Sequence, residues 1–231
     1  MNSMNTTRKM ALLSGISIVL MALVAGATMG GLFDSLFTMD YKELDHAVRQ
    51  QSSAYFLGVM GWCIILICDL IASWGLYRFY MGSHKMRASV MGIMRLAYST
   101  VLAVAIVPLV QILFNMEGGT NSMFIFEKLH QFEQTWHAGL ILFGVHLLLL
   151  ARLVWNSSVV LKTLSVLLFL AGTGYFISNV ADLFIADYEH YRADVEMGFL
   201  LPMTLGELGL AIWLLAKGGK EIIAEKRQFA S

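Results

Sequence analysis

Residues 55–77 read YFLGVMGWCIILICDLIASWGLY, 23 residues with no proline and a single charge, Asp69. A helix crossing the hydrocarbon core of a bilayer needs about 20 mostly apolar residues, so this stretch reads as a transmembrane span. Its one acid then has to find a partner inside that span. Working outward, five more stretches of the same kind stand between charged or turn-forming segments. The six spans run roughly over 10–33, 55–77, 88–114, 136–154, 161–185 and 199–216. The predicted fold is all-α: a polytopic membrane helix bundle of six transmembrane helices, forming one domain over 1–231.

Composition supports the same solvent. Of 231 residues, 58% are hydrophobic and 14% charged, with a mean hydropathy of +0.68, whereas a soluble chain carries about a quarter charged residues. Sixteen basic and sixteen acidic residues cancel, so a nucleic-acid partner has no electrostatic footprint. Two prolines and no low-complexity run leave little room for disorder.

The loops test the span count, because short cytoplasmic loops collect Lys and Arg. With the N-terminus inside, one side holds Arg8, Lys9, Arg78, Lys85, Arg87, Arg152, Lys162, Lys217, Lys220, Lys226 and Arg227. The other holds only Lys42, Arg49, Lys128 and Arg192, together with Asp34, Asp40, Glu43, Asp45, Glu117, Glu127, Glu133, Asp187, Glu189, Asp194 and Glu196. Adding or losing a span would scramble this segregation. Both termini are therefore predicted to be cytoplasmic. Arg8-Lys9, an apolar run and Ala25-Gly26-Ala27 mimic a signal peptide, but the run continues to Phe33, which favours an anchor.

Glycines such as Gly30-Gly31, Gly139, Gly144, Gly172, Gly206 and Gly209 read as places where helix backbones approach closely in lipid. Fifteen methionines read as adaptable apolar filler. Tyr55, Tyr77, Tyr80, Trp136 and Trp155 fall at predicted boundaries and read as interfacial anchors. Cys63 and Cys68 are five apart on one helix, so they face different sides and predict no disulfide.

Four ionisable groups lie inside spans, where each costs about 2.5–3.5 kcal/mol on insertion scales unless it is paired, hydrated or useful. They are Asp69, Arg95, His146 and Glu207. At 1.5 Å of rise per residue, all four lie about 10–14 Å from the cytoplasmic boundary, on four different helices. The economical arrangement is one buried polar cluster. Ser73, one turn after Asp69, and Tyr98 with Ser99, one turn after Arg95, are in position to join it, as is Thr204 before Glu207. Gln111, Ser178, Asn179 and His137 lie nearer the other side, and Asp182 is close to the end of its span.

Several stretches together resemble the domain of unknown function 4386 family, bacterial six-helix membrane proteins. They are CDLIASWGLYRFY (68–80), MRLAYSTVLAV (94–104), FGVHLLLLARLVW (143–155), LKTLSVLLFLAGTGYFISNVADLF (161–184) and GELGLAIWLLAKG (206–218). The resemblance implies a six-helix fold in the bacterial cytoplasmic (inner) membrane. It equates Asp69, Arg95, Tyr98, His146 and Gly206-Glu207 with the family's recurrent intramembrane residues. The aspartate that the family often carries after Gly-Tyr in the fifth helix is missing from Gly174-Tyr175-Phe176-Ile177-Ser178-Asn179. On activity the resemblance implies nothing.

Asp69, Arg95, Tyr98, His146 and Glu207 are thus the candidate residues for ligand binding or proton relay. In the leading reading, a small anionic or amphipathic ligand, or a proton, meets Arg95 with the acids and His146 around it. The alternatives are a network that only fixes helix packing, an intramembrane enzyme acting on a lipid-like substrate with His146 as base, and a regulatory membrane partner using acidic outer loops such as 187–196. Asp69, His146 and Glu207 could supply three metal ligands, but Arg95 in the same layer would repel the cation. Haem needs apposed axial ligands, and the only intramembrane histidines, His137 and His146, share one helix. No metal and no cofactor are expected; membrane lipids, with a small-molecule or lipid ligand, are the expected partners.

Overall fold

A computed structural model describes residues 2–29, 33–116, 121–156, 158–185 and 188–220, with the side chains of 2–5, 34, 189, 193 and 196 outside that description. Gly30, Gly31, Glu117, Asp187, Lys226 and Arg227, and the side chains of Asp34, Glu189 and Glu196, therefore lie outside the described residues. Among those described, the chain is helical throughout and has no strand. The helices are α1 (Asn2–Thr28), α2 (Asp34–Thr38), α3 (Leu44–Gln50), α4 (Ser52–Tyr80), α5 (Lys85–Asn115), α6 (Ser122–Val154), α7 (Val159–Phe184) and α8 (Glu189–Ala216). Six of them, α1 and α4 to α8, are long and apolar enough to cross a membrane.

Two helix starts differ from the sequence expectation. The first helix is described through Met29, and Phe33, the expected end of the first span, packs on Tyr55 with ring centroids 5.3 Å apart. The fourth begins at Ser122, well before Trp136. Glu127, Lys128 and Glu133 interrupt the apolar run there, but Ile125, Leu129 and Phe132 repeat at helical spacing and are buried, which is the mark of an amphipathic helix. Asn121 caps its start by accepting the Phe124 amide at 2.8 Å. The sixth span, Met197–Ala216, starts close to the expected Phe199, but its helix α8 begins at Glu189, so most of the expected acidic outer loop is helix.

The six spans pack in a closed ring in chain order: α1 on α4, then α5, α6, α7 and α8, which returns to α1. Large apolar residues such as Leu23, Ile67, Ile93, Phe169 and Ile212 are exposed, as a bilayer solvent requires. Arg8 closes the ring by donating to the carbonyls of Leu214 at 2.9 Å, Leu215 at 2.5 Å and Gly218 at 2.8 Å. The last carbonyls of a helix have no partner within it and carry partial negative charge, so one guanidinium both satisfies the end of α8 and fixes it to α1. At the opposite end, α2, a 3-10 turn (Tyr41–Glu43) and α3 lie against the extended start of α6. Ser122 Oγ donates to the Lys42 carbonyl at 3.1 Å, and Phe37 stacks on Phe132.

Between α6 and α7 the backbones touch. A Cβ on Gly144 would lie 2.8 Å from the Gly172 carbonyl oxygen, and a Cβ on Gly172 would lie 2.8 Å from that of Gly144. Neither obstruction is a flexible side chain. Gly144→Ala and Gly172→Ala are each expected to destabilise the solubilised protein by about 1–3 kcal/mol, the usual cost of overpacking. Gly26→Ala, whose Cβ would meet nothing within 4 Å, should melt like the parent. Circular-dichroism melts in detergent check the contrast.

Candidate functional site

Arg95 is the hub of the buried polar groups. It stands on α5 with 0% exposure and reaches polar groups of three other helices and a sulfur of a fourth. Its Nη2 pairs with Asp69 Oδ1 of α4 at 2.7 Å, and its Nη1 with Glu207 Oε1 of α8 at 3.1 Å. Nη1 also lies 3.1 Å from His146 Nε2 of α6. The guanidinium carbon sits 5.4 Å from the centre of the Phe143 ring, and the Met21 sulfur of α1 is 4.0 Å from Nη2. Its Nε has no hydrogen-bond partner among the described residues.

Partner chemistry assigns the His146 tautomer. Nδ1 faces the Met91 carbonyl at 3.0 Å, which only accepts, so Nδ1 carries the proton. Nε2 faces an Arg95 N–H, which only donates, so Nε2 accepts. The imidazole that satisfies both contacts is neutral. The cluster therefore sets one permanent cation against two carboxylates. Asp69 is fully buried, and its Oδ2 accepts from the Ser99 hydroxyl. Glu207 keeps 15% of its side chain exposed.

That exposure faces a cavity of about 660 Å³ in the middle of the ring, lined by all six spans. Its length can be read along α6, where Glu133 and Phe143 both line it; ten residues of helix span about 15 Å. Glu207, Tyr98, Phe143 and Tyr175 line the deep end, and Phe37, Glu133, His137 and Arg192 the end near α2 and α3. Six aromatic rings stand among the mainly aliphatic residues of the wall. Trp62 meets Trp136 edge-on at 5.1 Å, and Phe143 lies 4.9 Å from Tyr98 and 5.4 Å from Tyr175.

The structure brings Asp69, His146 and Glu207 together on Arg95. It places Tyr98 apart from the ion network, on the cavity wall. Arg95, Asp69 and His146 do not line the cavity, whereas Glu207, Phe143 and Met21 beside Arg95 do. Ser99 joins the cluster, whereas Ser73 donates to the Gly92 carbonyl at 3.2 Å and serves α4–α5 packing. Thr204, Ser178 and Asn179 line the cavity. Trp136, expected at a membrane boundary, lines it too, because α6 starts so much earlier. Tyr55, also expected there, is buried and donates to the Leu109 carbonyl at 3.1 Å.

Sequence reasoning missed a second polar group at the cavity's far end. Arg192 of α8 pairs with Asp182 of α7, and its Nη1 donates to His137 Nδ1 of α6 at 3.3 Å. Arg192 stood in a presumed loop, so nothing marked it as a partner for Asp182. Phe143 was missed as well, being one apolar residue among many. Cys63 and Cys68 are both free thiols. Among the described residues no three His, Cys, Asp or Glu side chains converge to hold a metal ion.

Comparison with known proteins agrees with this geometry in coverage. The family model described as Domain of unknown function (DUF4386) matches residues 13–218, from within α1 to just past α8. The chain belongs to this family. It is also 26% identical over 162 residues to an uncharacterized protein of Archaeoglobus fulgidus, a match covering 70% of this chain and 84% of that one. No solved structure matches.

Removing Arg95 would strand a fully buried carboxylate. Arg95→Ala is expected to cost about 3–5 kcal/mol, as breaking a buried pair does. Arg95→Lys should recover only part of this, since one ammonium cannot fork to Asp69, Glu207 and His146 together. Melting temperatures ranked parent, Lys variant, Ala variant check the assignment; three equal values would contradict it.

Proposed function

We propose that this family member is a membrane-embedded binding protein whose central cavity receives an amphipathic small molecule, with Glu207 as the polar group presented at the cavity's deep end. The observation that carries this reading is the 660 Å³ cavity itself. It has the size and mainly apolar, partly aromatic lining of small-molecule sites, and the Glu207 carboxylate reaches it from the ion cluster centred on Arg95. An intramembrane ionisable group is a functional candidate by default, and Glu207 is the member of its cluster that the cavity reaches.

The geometry weighs against the other roles considered for these residues. A general base needs a lone pair within reach of the reacting group, and His146 Nε2 already accepts from Arg95. A proton relay through that ring would end on the Met91 carbonyl. An anion seeking Arg95 would find it fully buried and already holding two carboxylates. We place the protein in the bacterial cytoplasmic membrane with both termini inside. The basic residues Arg8, Lys9, Arg78, Lys85, Arg87, Arg152 and Lys162 support that orientation.

Native mass spectrometry of the gently purified protein tests the reading. The parent chain should carry about one added amphiphile of defined mass. Ala22→Phe, which pushes a ring into the lumen from α1, should remove that species while leaving the fold and melting behaviour in place. An identical bound population in both proteins would contradict a ligand site in this cavity.

A further inference from the structure

Resting on that reading of the cavity, we infer the class of its ligand: an organic cation, a primary or quaternary ammonium joined to an apolar body. Three features of the lumen point this way. The first is charge. Arg95 is answered by both Asp69 and Glu207, and His146 is neutral by its hydrogen bonds, so the deep end carries one more carboxylate than cation. At the other end Arg192 is already engaged by Asp182. An anionic headgroup would meet no uncommitted cation at either end.

The second feature is the open valence of Glu207. Oε1 accepts a hydrogen bond from Arg95 Nη1, while Oε2 makes no hydrogen bond to Arg95 and belongs to a side chain that lines the cavity. An ammonium set there completes the carboxylate and brings the deep cluster to neutrality. The third is the wall. Ring faces carry negative quadrupole potential, and aromatic cages are a recurrent device for holding ammonium groups. Phe143 already accepts the Arg95 guanidinium on its face, and Tyr98 and Tyr175 pack on Phe143. The rings that share the lumen with Glu207 are thus of the type that stabilises a desolvated cation.

The experiment is isothermal titration of the full chain in an uncharged maltoside detergent with three probes sharing one tail: decyltrimethylammonium, decyl sulfate and decyl glucoside. The ammonium should bind saturably, one per chain, and at least ten-fold tighter than either of the others. Glu207→Gln should weaken it at least ten-fold while changing the glucoside little. Should Glu207→Gln fail to purify folded, Tyr175→Leu supplies the second test, with a several-fold loss for the ammonium alone. Sulfate or glucoside binding as tightly as the ammonium, with all three lost in Ala22→Phe, overturns the cation assignment and leaves the cavity reading standing. No saturable binding of any probe, or binding that Ala22→Phe leaves untouched, overturns both.

Discussion

A charge in a lipid-enclosed bundle has no water to fall back on, and the six-helix ring is organised around that constraint at Arg95. Its guanidinium draws acids from α4 and α8 and an imidazole from α6 onto one point. Because no group in the set is cheaply left alone, the rotation and depth of four helices are set together. Packing does the rest. Gly144 and Gly172 bring α6 and α7 into backbone contact, and Arg8 closes the circle from α1 onto the last carbonyls of α8. A ring drawn in by its charges and yet lined with bulky aromatic side chains leaves space along its axis, and that space is the cavity.

The arrangement separates two jobs that the same residues were expected to share. Arg95 and Asp69 are sealed away from the lumen and act on structure; Glu207 belongs to both the ion cluster and the cavity wall. Anything bound next to Glu207 therefore perturbs the cluster that holds α4, α5, α6 and α8 in register. The pair at the opposite end, Arg192 with Asp182, joins α7 to α8 and leaves His137 facing the lumen as a neutral acceptor.

Much of this was legible in the chain itself. Six spans followed from apolar runs and the segregation of Lys and Arg, and the meeting of Asp69, Arg95, His146 and Glu207 followed from counting helical rise toward a common depth. What escaped was anything that depended on helix rotation or on amphipathic extension. Tyr98 and Ser99 are adjacent in sequence, yet one faces the cavity and the other Asp69. The start of α6 hid behind Glu127, Lys128 and Glu133, and with it the inward position of Trp136. Arg192 was hidden for the same reason, because a charged helical turn beyond the bilayer looks like loop to a hydropathy count.

The coupling between the two acids tests the account most directly, since both are held to neutralise one guanidinium. A double-mutant cycle of Asp69→Asn and Glu207→Gln, read as unfolding free energy in a single lipid or detergent system, measures it. Either single change leaves Arg95 one carboxylate, whereas the double change leaves a buried cation with none. The double variant should therefore lose more than the sum of the singles, by about 1 kcal/mol or more. Additivity within about 0.3–0.5 kcal/mol, the behaviour of independent sites, would show that the two carboxylates do not share Arg95.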